Sequence, residues 1–400
     1  MEFPNDFIEQ MRQTMGDAML EQLLEGLQQE PIVSIRLNPS RQLALPTPNS
    51  SLLTPNSTPW CSTGYYLTER PSFTFDPLLH AGAYYVQEAS SMFLERVMRQ
   101  YVTGTVCMLD LCAAPGGKST LARSLLTADS LLVSNEPIRN RAQILSENVQ
   151  KWGYKNHLVT NNYPKDFRKA KAQFDVILTD VPCSGEGMFR KDPKTISEWS
   201  LQNVEKCWRL QRDIVSDIWS CLRPGGMLIY STCTFNTKED EENVRWIAEE
   251  LGADILPVDT EDSWGITGSL LKDFCQPVYR FLPGKTRGEG LFMAVLRKHG
   301  QSESVRQERL QKSIKALNII PSDFLEALHQ AQDAPHIELS YEQAIAYLRR
   351  EAITLPEDTP RGIVVVCYKG MALGLAKNVG NRANNLYPKE WRIKSTHIPV

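Results

Sequence analysis

The sequence predicts an α/β protein whose centre is a Rossmann-like, mainly parallel sheet, with smaller α+β domains before and after it. Between residues 105 and 298, short apolar runs typical of strands alternate with amphipathic segments typical of helices. A Pro-Gly-Gly turn follows the first of these strands. Such alternation predicts strand–helix–strand units with helices on both sheet faces. Ligands of such sheets bind at the carboxyl ends of the strands.

The elements follow from the spacing of apolar residues. In the central region we expect strands at 106–111, 131–135, 157–160, 174–180, 226–231, 278–282 and 291–297, and helices at 118–127, 138–151, 197–221 and 239–251. Before it, helical spacing spans residues 3–30 and a strand pattern spans 32–37. After it, the chain becomes helical and polar, then returns to strand patterns at 363–367 and 371–376.

These changes predict three domains. Residues 1–75 form an N-terminal α+β domain that ends in a Ser/Pro-rich connection, which covers 39–59 and is expected to be exposed. Residues 76–299 form the Rossmann-like domain. Residues 300–400 form a helical segment and a basic α+β domain.

Composition excludes several classes of protein. The 400 residues carry a net charge of −3, and 42% are hydrophobic, which is typical of a globular chain. No stretch approaches the roughly 18 apolar residues of a membrane span, and the acidic N-terminus lacks the basic region of a signal peptide. The nine cysteines include no C-x-x-C pair, so neither disulfides nor a metal site is expected. We expect a cytoplasmic protein without a membrane partner, and by default a monomer.

The turn after the first central strand is a candidate site for a nucleotide-like cofactor. Glycine lets a backbone approach a ligand closely, and the helix that follows offers unpaired N–H groups to an anion. The residues of this turn are Cys112, Ala113, Ala114, Pro115, Gly116, Gly117 and Lys118. A P-loop is the alternative, because Gly117, Lys118 and Ser119 fit its motif, but Cys112 replaces its first glycine.

Polar residues follow the next two strands. Glu136 ends the second strand, at about the spacing from the glycines where an acid binds ribose hydroxyls. Asn161 and Asn162 follow the third strand, where an adenine contact and an ordinary turn are equally good interpretations.

The fourth and fifth strands each deliver a cysteine to the same sheet edge. Asp180 ends the fourth strand and Cys183 lies in the Pro- and Gly-containing loop after it, while Cys233 follows the fifth strand. A single cysteine is ordinarily buried filler. Both of these lie just past strand ends in polar, turn-rich sequence, which favours reactive thiols.

A thiolate, a carboxylate and an adenosine-type cofactor together suit the methylation of cytosine at C5. Carbon C5 is too weak a nucleophile to attack a methyl donor directly, but addition of a thiolate to C6 makes it nucleophilic. A carboxylic acid near N3 and N4 stabilises that adduct, and C5 then takes the methyl group of S-adenosylmethionine. A base removes the C5 proton and the thiolate leaves. On this reasoning either cysteine could be the nucleophile.

Three segments carry a family resemblance. They are Leu109–Lys118, Asp180–Gly185 and Ser231–Thr234, which read LDLCAAPGGK, DVPCSG and STCT. In combination they closely resemble the Sun-type RNA cytosine-C5 methyltransferases over roughly residues 80–298. The resemblance implies a Rossmann-like, S-adenosylmethionine-dependent methyltransferase domain.

The resemblance also implies a role for each site residue. By it Cys233 attacks C6, Cys183 assists product release, and Asp180 holds the cytosine edge and the cofactor end. The turn from Cys112 to Lys118 and Glu136 line the cofactor pocket. Asn161 or Asn162 occupies the position where many members have a third, acidic cofactor contact.

The flanking segments refine the substrate. Residues 34–39 resemble the N-terminal domain of bacterial members, and residues 367–374 and 385–388 resemble the PUA-like RNA-binding domain of members that act on small-subunit ribosomal RNA. Basic residues from Arg361 onward would contact phosphates, and the target base must leave its stack to reach Cys233. The resemblance implies formation of 5-methylcytosine in 16S ribosomal RNA. The same reaction on transfer RNA, and a ribosome-assembly RNA-binding factor with vestigial methyl transfer, stay open as alternatives.

Overall fold

The computed structural model describes residues 1–41, 53–380 and 382–395. Most of the connection predicted at 39–59 therefore lies outside the described residues. In the described part of the chain the strands form three sheets, and no helix has the length and apolar character needed to span a bilayer.

The N-terminal segment combines a long helix with a small antiparallel sheet. Helix α1 (Asn5–Gln28) is kinked at Gly16, where φ is +75°. The sheet has the order β2-β3-β1-β4, and a short helix, α2, begins where the Asp76 carboxylate accepts the N–H of Leu78. The bounds are β1 (Ser34–Leu37), β2 (Leu53–Ser57), β3 (Gly64–Leu67), α2 (Pro77–His80) and β4 (Tyr84–Val86).

The central segment alternates strands and helices, as the sequence predicts. Its elements in chain order are α3 (Leu94–Tyr101), β5 (Cys107–Asp110), α4 (Gly117–Leu125), β6 (Leu131–Asn135), α5 (Arg139–Trp152), β7 (His157–Thr160), α6 (Pro164–Lys169), β8 (Phe174–Asp180), α7 (Lys194–Glu198), α8 (Leu201–Trp219), β9 (Leu222–Thr232), α9 (Glu241–Glu250), β10 (Ala253–Leu256), β11 (Tyr279–Phe281) and β12 (Leu291–Lys298).

The central sheet has the strand order β10-β12-β9-β8-β5-β6-β7, followed by one further edge strand, with β11 paired to β12. Strands β5 to β9 run parallel, and β12 joins antiparallel to β9. Because the chain moves from β5 outward to β7 and then returns to β8, the order reverses between β5 and β8. Ligands of open α/β sheets bind at such a reversal.

Apolar side chains bury both faces of this sheet. On one face, residues of α6, α8 and α9 form a cluster with strand residues such as Leu109 and Ile177. On the other, residues of α3 and α4 pack with strand residues such as Met108 and Leu178. Burial on both faces explains why these strands read as continuous apolar runs.

Most predicted central elements are confirmed, and one is wrong. The strands predicted at 131–135, 157–160 and 174–180 agree with β6, β7 and β8 at every residue. The single helix predicted at 197–221 is instead α7 and α8. At Ser200 the backbone is extended, and its side chain accepts the N–H of Asn203 to begin α8, which is the usual role of serine at a helix start.

The C-terminal segment begins at the edge of the central sheet and ends in a sheet of its own. The strand β13 pairs antiparallel with β7, and the third sheet has the order β14-β15-β16-β17. The bounds are α10 (Gln307–Ile314), β13 (Ile319–Ile320), α11 (Asp323–Gln330), β14 (His336–Glu338), α12 (Tyr341–Leu348), β15 (Gly362–Tyr368), β16 (Met371–Asn378) and β17 (Ala383–Asn385).

The N-terminal and C-terminal sheets share one hydrophobic core. Ile35 and Tyr84 of the first sheet belong to the same buried cluster as Leu348 of α12 and Leu373 of β16. The N-terminal and C-terminal sheets therefore stabilise each other by direct packing.

Candidate active site

The turn between β5 and α4 forms the floor of the site. Gly116 has φ of +115°, in the left-handed region that glycine adopts without strain, and an added Cβ would lie 3.2 Å from the Leu145 side chain. Helix α5 holds the turn in place: Asn148 Nδ2 donates to the carbonyl of Pro115 at 2.8 Å, and Arg141 Nη2 donates to that of Ala114 at 3.1 Å.

Asp110, the last residue of β5, carries an unpartnered oxygen beside this turn. Its Oδ2 accepts a 2.6 Å hydrogen bond from Ser119 Oγ, whereas Oδ1 is buried without a partner among the described residues. Burial raises the pKa of Asp110 to about 7. An unpaired buried oxygen is costly in the free protein, so a ligand that donates to it would be bound more tightly.

Asp180, at the end of β8, is held between two neighbours. Lys118 Nζ lies 2.8 Å from Asp180 Oδ2, and Ser231 Oγ donates to Asp180 Oδ1 at 2.7 Å. Burial alone would lower the pKa of Lys118, but the charge and hydrogen bond of Asp180, together with the charges of Asp110 and Glu88, outweigh it and the pKa is raised. The pair therefore presents a charged lysine and an anchored carboxylate.

The two predicted cysteines face each other. The Sγ atoms of Cys183 and Cys233 are 3.1 Å apart, and both residues are free, half-buried cysteines. The contact with Cys233, followed by burial, raises the pKa of Cys183 well above its usual value. Cys183 therefore holds its proton more strongly than an ordinary cysteine.

Two buried glutamates join the cysteine loops. Glu186 accepts the backbone N–H groups of Phe235 and Asn236 at 2.5 and 3.1 Å. Glu239 accepts the N–H of Ser184 at 3.0 Å and a bond from Asn236 Nδ2 at 2.9 Å. Burial, then the charge of Glu186, raises the pKa of Glu239 to about 7. Each glutamate therefore links the loop after β8 to the loop after β9.

Two connected cavities surround these groups. The first, here the Lys118 cavity, has a volume of about 370 Å³ and is lined by Gln87, Lys118, Asp180 and Cys233 among others. The second, here the Glu136 cavity, has about 710 Å³ and is lined by Glu136, Ile138, Cys183 and Leu210 among others. They share wall residues, namely Cys112, Ala114, Asp180, Val181, Met188 and Cys233.

The structure brings most of the predicted site residues to these cavities. Those that line one or both are Cys112, Ala113, Ala114, Pro115, Gly117, Lys118, Glu136, Asp180, Cys183 and Cys233. Gly116 shapes the turn without lining either cavity. Glu136 is buried, and its Oε1 accepts the N–H of Ile138 at 3.0 Å.

The two asparagines have other contacts. Asn161 Nδ2 donates to the carbonyls of Glu136 and Pro137 at 2.7 and 2.9 Å, and Asn162 Nδ2 donates to that of Asn318 at 3.2 Å. Neither residue lines the two cavities. Asn161 therefore holds the loop at Glu136, whereas Asn162 contacts the segment just before β13. Direct contact of either residue with the cofactor stays a prediction.

Sequence reasoning missed several residues that shape the site. Asp110 could have been found, because it ends a buried strand and lies directly before the turn. Glu186 and Glu239 gave no signal, because a glutamate in a loop usually faces solvent. Only the folded chain buries them between the two cysteine loops.

Comparison with protein families matches three successive parts of the chain. Residues 3–89 match the N-terminal domain of 16S rRNA methyltransferase RsmF, residues 102–297 match 16S rRNA methyltransferase RsmB/F, and residues 334–393 match the methyltransferase RsmF PUA domain. Ribosomal RNA small subunit methyltransferase F of Salmonella heidelberg (strain SL476) is 30% identical over 368 residues, covering 87% of this chain and 74% of that relative.

The chain belongs to the RsmB/F family of 16S rRNA methyltransferases. S-adenosylmethionine is the methyl donor of this family. The predicted family resemblance and fold class are confirmed. A second relative with the same name, from Enterobacter sp. (strain 638), is 29% identical and covers 97% of this chain and 95% of its own length.

Solved structures share the fold of this RsmB/F family member. A methyltransferase homolog protein from Pyrococcus horikoshii has a TM-score of 0.62 and 25% identity, over 74% of this chain and 95% of its own. A structure of NSun6 from Pyrococcus horikoshii with SFG has a TM-score of 0.61 and 21% identity, over 75% of this chain and 99% of that one.

Proposed function

We propose that this chain methylates C5 of cytosine in 16S ribosomal RNA through a covalent adduct between Cys233 and C6 of the base. The observation that carries the proposal is the position of the two sulfur atoms. They are 3.1 Å apart, and Cys233 lines both the Lys118 and the Glu136 cavity. A thiolate at this junction can attack a base that enters the Lys118 cavity, while a methyl donor held against residues 112–118 extends into the Glu136 cavity.

The pair of thiols suggests which sulfur attacks. Because Cys183 holds its proton more strongly than an ordinary cysteine, the S–H of Cys183 can donate to a thiolate at Cys233. The family resemblance assigns the same roles, with Cys233 as nucleophile and Cys183 in release.

Asp180 and Lys118 suit the recognition of the base. The carboxylate is anchored by Ser231 and Lys118, so it can accept a hydrogen bond from the N4 amino group of cytosine without reorganising. Attack by the Cys233 sulfur forms the S–C6 bond and moves the C5=C6 electrons to C5. The new C5–methyl bond would use those electrons as the methyl–sulfonium bond of the donor breaks and leaves a neutral thioether. A base then takes the C5 proton, the electrons of the C5–H bond restore C5=C6, and the C6–S bond breaks to release the Cys233 thiolate.

The residues of the turn fit the cofactor. Asp110 offers an unpartnered buried oxygen, and Glu136 presents a buried carboxylate at the second cavity. We assign both, with residues 112–118 and with Asn161 or Asn162 at the loop behind Glu136, to holding S-adenosylmethionine. When bound, it supplies an electrophilic methyl group.

The substrate assignment comes from the relatives and the C-terminal domain. The relatives are named ribosomal RNA small subunit methyltransferase F, and residues 334–393 match their PUA domain. We therefore propose ribosomal RNA in the cytoplasm as the substrate. Transfer RNA is the alternative substrate, and an assembly factor with vestigial activity is the alternative function.

Bisulfite sequencing of total RNA from cells with and without this gene tests the reaction and the substrate together. Loss of protected cytosines from 16S RNA alone is the expected result. Loss of protected cytosines from transfer RNA alone would show that transfer RNA is the substrate. No change in any RNA would support the alternative function as a ribosome-assembly factor.

Three cysteine variants test the covalent step. Cys233→Ala should abolish methylation, whereas Cys183→Ala should leave an RNA–protein adduct that migrates slowly on a denaturing gel. The exposed Cys275 provides the matched control, since Cys275→Ala should do neither. Full activity of Cys233→Ala would overturn the mechanism, and an adduct on Cys233→Ala but not on Cys183→Ala would exchange the two roles.

A further inference from the structure

A third cavity adjoins the active site and takes no part in the chemistry described above. This side cavity has a volume of about 310 Å³ and lies between α2, β4 and α5. It shares Tyr85 and Val86 with the Lys118 cavity. Its size falls at the lower end of the roughly 300–1,000 Å³ that is usual for small-ligand sites.

Tyr85 forms the partition between the two cavities. Asn148 Nδ2 lies 3.4 Å from the Tyr85 hydroxyl and also donates to the carbonyl of Pro115 at 2.8 Å. The Tyr85 ring meets Trp152 edge to face at 6.5 Å. Through Asn148, Tyr85 is therefore connected to the turn at Pro115. A ligand in the side cavity would lie next to a ligand in the Lys118 cavity, with Tyr85 between them.

The walls of the side cavity are aromatic on several sides. Phe73, Tyr84, Tyr85 and Trp152 all line it, and Phe73 and Tyr85 are only half-buried. Flat unstacked bases bind to such surfaces with little dependence on sequence, each stacking contact contributing about 1–3 kcal/mol.

The polar groups of the side cavity are arranged around one lysine. Lys151 Nζ lies 2.5 Å from Glu147 Oε1 and 3.2 Å from His80 Nδ1. Burial, with the charge of Lys151, lowers the pKa of His80 to about 3, so the ring is neutral. The charges of Lys151 and Glu147 therefore cancel. A cavity without net charge favours an uncharged polar ring as its ligand over a phosphate group.

We propose that the side cavity binds a nucleobase of the RNA substrate that neighbours the target cytosine. The inference rests on the proposed function, because it takes the target base to occupy the Lys118 cavity. A target base reaches an enzyme pocket only after it leaves its stack, and its neighbours in the strand are then unstacked as well. Single-stranded RNA is recognised by stacking on aromatic side chains and by hydrogen bonds to base edges, and the side cavity offers both.

Filling the side cavity tests the proposal without touching the catalytic groups. Thr74 is exposed and lines the cavity, and Ser72, two residues earlier, is exposed and does not line it. We expect Thr74→Trp to raise KM for transcribed 16S RNA about tenfold or more, as the loss of one stacked base would, with kcat and the Kd of S-adenosylmethionine within twofold of the wild type. Ser72→Trp should leave all three values unchanged.

A second variant guards against a misfolded tryptophan mutant. Phe73→Leu keeps apolar volume but removes the ring, and it should also raise KM without lowering kcat. An unchanged KM in both Thr74→Trp and Phe73→Leu, or an equal rise in Ser72→Trp, would overturn the proposal. If the wild type forms no 5-methylcytosine, the proposed function has failed. Filter binding of 16S RNA then tests the side-cavity proposal independently of methylation. Equal RNA affinities of the wild type and Thr74→Trp would overturn that proposal.

Discussion

At the scale of single residues, the site depends on side chains whose environments differ sharply from water. Asp110 and Glu239 are buried carboxyl groups with pKa values raised to about 7, whereas Asp180 remains beside Lys118 at 2.8 Å. Cys183 is held as a thiol by its contact with Cys233. The different surroundings of chemically similar groups separate their roles, which is typical of enzyme sites.

Asp180→Asn should lower kcat for RNA methylation by about 100-fold or more, since a positioned acid or base commonly contributes that much. The amide loses the negative charge of the ion pair with Lys118 and is a weaker acceptor for the N4 amino group of the base. Ser231→Ala is the matched comparison, because it removes only the 2.7 Å bond to Asp180 Oδ1 and should reduce kcat much less. Single-turnover rates measure both, and equal rates for Asp180→Asn and wild type would remove Asp180 from the mechanism.

The raised pKa of Asp110 predicts a pH dependence of stability. The unfolded chain releases this proton near pH 3.8 and the folded chain near pH 7, so the folded state binds more protons between these values. Stability should therefore fall as pH rises from about 4 to 7. Asp110→Asn should reduce that fall in stability by an amount on the order of 4 kcal/mol. Urea unfolding without cofactor at pH 4.5, 6 and 8 checks this, with the exposed Asp129→Asn as control; parallel curves for all three proteins would contradict it.

At the scale of elements, the ends of three neighbouring strands bring the site together. Strands β5, β8 and β9 end at Asp110, Asp180 and Thr232, and the loops after β8 and β9 are joined through Glu186 and Glu239. Helix α1 supports the first of these loops, because Phe7 meets Phe189 at 5.2 Å and Trp199 at 5.5 Å between ring centres. An N-terminal helix thus stabilises the loop that carries Cys183.

Phe7→Ala should lower the free energy of unfolding by about 3–5 kcal/mol, which is usual for the loss of a buried phenylalanine. The residue is fully buried in a cluster with Phe189 and Trp199. Phe3→Ala, at a half-buried ring of the same helix region, should have a smaller effect. Denaturant titration gives both values, and equal effects of the two substitutions would contradict the packing argument.

At the scale of the whole molecule, the two ends of the described chain pack against each other. The N-terminal and C-terminal sheets bury side chains in one shared cluster, in which Leu373 of β16 lies with Ile35 and Tyr84. Leu375, two residues further along β16, belongs instead to a separate small cluster with Val365 and Cys367. A disturbance of the shared cluster should therefore reach β4, which carries the partition residue Tyr85.

Leu373→Ala should speed hydrogen exchange at residues 84–86, because it opens the core that β4 shares with the C-terminal sheet. The expected loss of stability is about 2–5 kcal/mol. Leu375→Ala is the control on the same strand and should leave exchange at β4 unchanged. Mass spectrometry of exchanged peptides measures this, and identical protection of β4 in Leu373→Ala and wild type would show that the two sheets are independent.

The sequence alone determined the central elements and the residues of the turn and strand ends. Strands buried on both faces and amphipathic helices leave periodic patterns that can be read without the fold, as in β6, β7 and β8. The break between α7 and α8 was harder to predict, because the Ser200 side chain caps α8 and overrides the local helical pattern. The short strand β13 was also harder to predict, because it forms by pairing with the edge strand β7.

Only the tertiary structure decided how the candidate residues meet. The 3.1 Å between Cys183 and Cys233, the glutamates that join their loops and the shared core all link residues that are far apart in the chain. The backbone contacts that occupy Asn161 and Asn162 were equally invisible. Periodicity records which side of an element is buried, whereas distances across a site depend on how separate elements pack, and no local pattern contains that information.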